Sequence, residues 1–120
     1  MTPFTRTLIA ALVLGGAPVA AADVVTVDSN AHGYQLSTTV RYAGIDLDSA
    51  TGAETLHRRL SHAAERVCAP LKSRQVSLLR EHRQCVADTL SRAVAGVDRP
   101  MLTRYHMQKT GQDLPAVAKR

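Results

Sequence analysis

Aromatic residues are scarce in this chain: there is no tryptophan, one phenylalanine and three tyrosines among 120 residues. A core with so few rings must be assembled from leucine, valine, isoleucine and alanine. Small, alanine-rich cores favour close helix packing over a large ligand cavity. The same scarcity leaves few faces on which bases could stack, so single-stranded nucleic acid is not an expected partner. Catalytic signatures are missing too. The chain has no G-x-S-x-G turn, no glycine-rich phosphate loop, no C-x-x-C redox pair and no C-x-x-C-H haem attachment site. No catalytic residue, cofactor or metal site is therefore expected. Beyond residue 22, no apolar run approaches the ~18 residues of a membrane span.

The one apolar run stands at the start. A single positive charge, Arg6, precedes Leu8 to Leu14 (LIAALVL). Gly15, Gly16, Ala17 and Pro18 break a helix there, and Ala20-Ala21-Ala22 fits an A-x-A cleavage site. That order predicts a secretory signal peptide over residues 1–22, cut before Asp23. No cysteine follows the run, so a lipid anchor is not expected, and the mature form should have no transmembrane segment. The predicted location is the periplasm or the exterior. Residues 23–110 make a single domain by length. A tail over 111–120, with Pro115 and a basic end, is expected to be disordered. Loss of Arg6 takes the formal net charge from +5 to +4. Such a charge permits contact with anionic surfaces without requiring it.

Strand signals come first in the mature chain. Val24–Val27 is one β-rich run and Leu36–Tyr42 another, with the turn-forming stretch Asp28–Gly33 between them. In the second run Leu36, Thr38, Val40 and Tyr42 fall on one face. An isolated hairpin is marginal in water, so it must lean on helices. The first helix is expected to reach about Cys68. Thr51 and Glu54 form a capping-box pattern at its start, with Ser49 and Asp48 as competing caps. Leu56, Leu60, Ala63, Ala64 and Val67 make its apolar stripe. Pro70 discourages continuation. After a connector from Ala69 to about Ser73, a second helix runs to about Ala95. Leu79, Val86, Leu90, Ala93 and Val97 carry its stripe, with Leu78, His82 and Cys85 beside it, and Gly96 is its expected stop. A short third helix begins near Pro100 and fades by Gly111. The predicted class is α+β, mainly α: an N-terminal β-hairpin or extended strand packed on a two-helix hairpin plus a short third helix.

Several of these segments together resemble the UrcA family. They are Val40-Arg-Tyr-Ala-Gly-Ile-Asp-Leu-Asp48, Ala53 to Leu60 with Arg58 and Arg59, Ala63-Ala-Glu-Arg-Val-Cys68, Cys85, and Ala93-Val-Ala-Gly-Val97. The resemblance spans roughly Thr38 to Met107. It implies a small exported bacterial protein of unknown function with two spaced cysteines. It implies no reaction and carries over no functional residue.

Cys68 and Cys85 are an even pair in a chain expected to be exported, which reads as one disulfide. Closing that loop should contribute ~3 kcal/mol. The pairing carries a geometric tension. If the second helix ran straight back along the first, the residue level with Cys68 would come several positions before Cys85. Six helical residues rise ~9 Å, beyond the ~7 Å Cα limit of a disulfide. The connector must fold back or the helices must cross steeply.

The histidines do not announce a metal site. His57 and His62 are five apart, not the four that align two ligands on a helix face. Asp46 and Asp48 precede a helix, where carboxylates serve the dipole. Arg58, Arg59, Arg66, Arg80, Arg83 and Arg92 lie on the two long helices, diluted by Glu54, Glu65, Glu81 and Asp88. Arg58, Arg59 and Arg66 are the candidates for contact with an anionic surface. The leading functional reading is a non-enzymatic exported module that binds an envelope protein or an anionic surface. The alternative is an envelope enzyme or redox accessory that uses His62, His82 or a reactive cysteine.

Overall fold

A computed structural model describes residues 23–31, 34–72 and 75–111. The expected leader (1–22) and the expected tail beyond Gly111 lie outside the described residues. The elements in chain order are β1 (Val24–Ala31), β2 (Tyr34–Arg41), α1 (Ala50–Val67), α2 (Val76–Val97) and α3 (Pro100–Thr110). A 3-10 turn over Ala69–Leu71 follows α1. The class is α+β and mainly α, with an antiparallel hairpin packed on helices. Among the described residues no helix is long and apolar enough to cross a membrane.

The hairpin obeys a period of two. Val25, Val27 and Ser29 turn inward, while Thr26, Asp28 and Asn30 are exposed. Their cross-strand partners are Val40, Thr38 and Leu36, which makes one face of the sheet. β1 is longer than its apolar run, because Asp28 to Ala31 continue the strand instead of turning. Ser29 explains this. It falls in register on the inner face, and its hydroxyl donates to the Val67 carbonyl at 2.5 Å. Helices leave their last carbonyls unpaired, so the bond satisfies two buried polar groups at once. Asp28 and Asn30 face solvent, where their polarity is harmless.

The start of α1 differs from the expected capping box. Ser49, not Thr51, is the cap: its side chain accepts from the Gly52 N–H at 3.0 Å. Its hydroxyl donates to the Asp46 carbonyl at 2.9 Å. The Asp46 carboxylate accepts from the Asp48 N–H at 3.1 Å. This tight loop starts the helix earlier than Thr51 could. It also presses backbone against backbone. A Cβ on Gly52 would stand 1.7 Å from the Asp46 carbonyl oxygen, so only glycine fits.

The stripe of α1 is buried throughout: Leu56, Leu60, Ala63 and Ala64 have no exposed surface. It meets the hairpin, α2 and α3. The alanines allow the close approach that a core with few rings needs. In α2 the stripe behaves differently along its length. Leu90, Ala93, Val94 and Val97 are buried, and Val86 is half-buried. Leu79, expected in the core, is 38% exposed, and Val76 is 74% exposed. Both stand in the first turn of α2, before Cys85, and neither belongs to the buried cluster that α1 lines. α2 also runs past Gly96 to Val97 and is capped by Asp98 in the left-handed conformation (φ 53). Gly96 is helical, and a Cβ there would already touch the Val25 side chain at 3.4 Å. α3 opens on Pro100 and closes at Gly111, whose N–H bonds the Met107 carbonyl.

Gly52→Ala should lower stability by about 1–3 kcal/mol, because the added methyl meets backbone that cannot move aside cheaply. Urea unfolding monitored by helical circular dichroism measures it. An unchanged midpoint would show that the loop before α1 gives way easily.

Candidate functional site

Cys68 and Cys85 are joined, with an S–S distance of 2.06 Å and Cα atoms 6.0 Å apart. That Cα distance lies within the reach of a disulfide despite the sequence separation of 17. After Cys68 the chain makes its 3-10 turn, which packs on α2 and buries Leu71. Leu71 borders the same surface depression as Cys85 and Thr89. The chain then reaches Gln75 before α2 begins, so Cys85 lies well inside α2 when it meets the end of α1. Cys68 is fully buried, and the Thr89 hydroxyl, itself 1% exposed, sits 3.7 Å from its sulfur. Cys85 is half-buried and borders a depression of about 220 Å³ with Glu81, Gln84, Asp88 and Arg92.

A second polar constellation lies where α1, α2 and α3 converge. The His57 Nε2 is 3.0 Å from the His106 Nδ1, and the His106 Nε2 is 3.1 Å from the Ser91 Oγ. His57 is 4% exposed, His106 is fully buried and Ser91 is 6% exposed. The Tyr105 ring meets His57 edge-on with centroids 5.1 Å apart, and the Lys109 ammonium lies over that tyrosine. The gap between the two imidazoles holds one proton. Whichever ring donates, the other must accept through an unprotonated nitrogen. Burial pushes His57 from its ordinary value of 6.5 down to about 4, with His106 and then Lys109 adding to the effect. Burial also lowers His106. Both rings are thus neutral in the fold at neutral pH.

Hydroxyl, imidazole and imidazole in line share the connectivity of a nucleophilic relay. A nucleophile must also meet its substrate. Ser91 is buried within a helix and borders none of the three depressions described here. The chain therefore reads as a polar seam between helices. Residue periodicity held part of this signal. His57 stands beside Leu56 and three before Leu60, inside the buried stripe, and His106 follows Leu102 by four. Their meeting across 49 residues left no trace in local spacing.

The candidate arginines are all exposed on α1. Arg59 and Arg66 are seven apart and share a face. Arg59 reaches the Arg41 carbonyl at 3.5 Å. Arg58 lies on the adjacent face, in a depression with Glu54, His57, Glu65 and Lys109. Arg66 borders another depression with His62, Glu65, Lys72 and His82. His62 and His82 are thus brought to one hollow, and His62 also borders the depression that holds His57. Among the described residues no group of three or more His, Cys, Asp or Glu side chains is placed to hold a metal ion.

Comparison with known proteins finds no matching family model, no matching curated protein and no matching solved structure.

Two measurements test this geometry. Reducing the disulfide, or Cys85→Ser, should cost ~2–4 kcal/mol of stability while the helices persist by circular dichroism. Non-reducing peptide mapping should recover the two cysteine peptides linked, and free thiols in the native protein would contradict the pairing. Acidification should also destabilise the fold. Below pH 6.5 the unfolded chain takes up protons on His57 and His106 that the folded rings refuse. This contribution is complete above pH 6.5 and is lost as the pH falls towards 4, by at most ~3 kcal/mol for His57. His57→Gln should flatten the dependence of unfolding free energy on pH across that window. An equal slope in both proteins would dissociate the effect from the imidazole pair.

Proposed function

We propose that the protein is a small exported, non-enzymatic interaction module whose α1 arginines engage an anionic surface. The observation that carries this reading is the division between the outer faces of α1 and the interior. Arg58, Arg59 and Arg66 stand exposed, whereas Ser91 and His106 are buried and only the His57 end of their chain borders a surface depression. Ser91 and His106 border none of the three depressions described above, and the charged groups able to attract a partner are open to solvent. The basic, apolar and small residues of the first 22 positions support export, as does the resemblance to the UrcA family. A disulfide suits an oxidising compartment.

The competing reading, an envelope enzyme or redox accessory, draws on one observation: His62 and His82 border the same hollow. Cys68 and Cys85, tied to each other, supply it with no free thiol.

The test is retention of the mature, oxidised protein on a resin carrying a sulfated polysaccharide. The protein should elute with moderate salt, since exposed charges are screened. The triple variant Arg58→Gln, Arg59→Gln, Arg66→Gln should elute earlier. Retention that neither salt nor the triple variant changes would refute the electrostatic reading.

A further inference from the structure

The N-terminal half of α2 precedes the disulfide that binds it to the end of α1, and one of its faces has a composition that the fold does not require. Val76, Leu79, Arg80 and Arg83 are spaced three, four and seven residues from the first and therefore share a helix face. All four are exposed, Val76 at 74%. The face continues the buried stripe, since Leu79 precedes the buried Leu90 by three helical turns. The acids of this region turn away from it: Glu81 and Asp88 border the depression beside the disulfide. What remains is an apolar pair flanked by two arginines, with no carboxylate among them.

We propose that this face is a docking surface for an anionic phospholipid bilayer. Val76 and Leu79 enter the boundary between headgroups and acyl chains, and Arg80 and Arg83 hold lipid phosphates. Charge complementarity selects this occupant. Long arginine stems lie along apolar surface and lift their charge to the phosphate level, which suits Arg80 and Arg83 to a bilayer that carries negative headgroups. Size points the same way. A stable protein interface buries on the order of 1,200 Å² or more, and two apolar side chains fall far short. Shallow insertion added to charge attraction needs no such area, because each arginine near an anionic bilayer strengthens binding about fivefold. The disulfide at Cys85 fastens the base of this arm to α1. The inference rests on the reading of an anionic partner, names it as lipid, and places the contact on a face distinct from that of Arg58, Arg59 and Arg66.

The experiment is co-sedimentation of the mature, oxidised protein with vesicles of phosphatidylcholine alone or with phosphatidylglycerol added. Binding should occur only with phosphatidylglycerol present. Val76→Ser with Leu79→Ser should weaken it about tenfold or more, and Arg80→Gln with Arg83→Gln by a similar factor. Both pairs are exposed, so circular dichroism should show the fold retained. The chain contains no tryptophan, so Leu79→Trp gives a single reporter whose emission should shift to the blue only with anionic vesicles. Retention on the sulfated resin without vesicle binding would overturn the lipid inference and leave the anionic reading standing. Vesicle binding that is lost in the Arg58, Arg59, Arg66 triple variant but kept in the Val76, Leu79 pair would overturn the arm alone. No retention on either support would remove both. Sedimentation showing a dimer that the Val76, Leu79 pair abolishes would assign the face to a second copy and overturn the proposal.

Discussion

The last turn of α1 is the point at which the molecule is tied together. Within two residues, Val67 accepts the Ser29 hydroxyl from the hairpin and Cys68 is bonded to Cys85 of α2. Thr89 closes over the same sulfur. A helix C-terminus buried without partners would leave carbonyls stranded at a cost of ~1–3 kcal/mol each. Here the sheet supplies a donor at that end, and the covalent link holds α2 alongside. With few aromatic rings to fill space, a core of this size has little margin. The cross-link and the buried hydroxyl together offset what leucine and alanine cannot provide.

Much of this was legible from residue order. The strands and all three helices follow from their periods, and Pro100 and Gly111 bracket α3 where such residues belong. The gaps have physical causes. Leu79 has the spacing of a core residue, but spacing cannot say how far along α2 the core extends. Asp28 to Ala31 have the composition of a turn, yet strand pairing and the Val67 carbonyl hold them extended. Gly96 looks like a helix stop, but it stays helical and Asp98 takes the left-handed position instead. The site was legible only where it is covalent. The cysteine pair follows from count and the expected compartment, whereas the pairing of His57 with His106 is purely tertiary.

The imidazole pair shows how the fold accommodates polarity. Three helices meet at a seam where packing rings or methyls would be the simpler solution. The chain instead places two neutral histidines and a serine there, each bonded to the next. A buried network of this kind is favourable only while every member is satisfied. It therefore demands a particular rotation of α3 against α1, which plain apolar contact between Leu102 and its neighbours would leave less well defined.

The join between α2 and α3 gives that demand mechanical force. Only Asp98 and Arg99 separate the two helices, and Asp98 occupies a backbone region that most residues avoid. So short a bend works as a rigid elbow. Swinging α3 away from α1 would drag the buried end of α2 from beneath the hairpin, so these parts must yield together. The molecule is consequently lopsided. At one end the sheet and three helices brace each other through the elbow. At the other, α2 is held by the disulfide and by the 3-10 turn that packs on it.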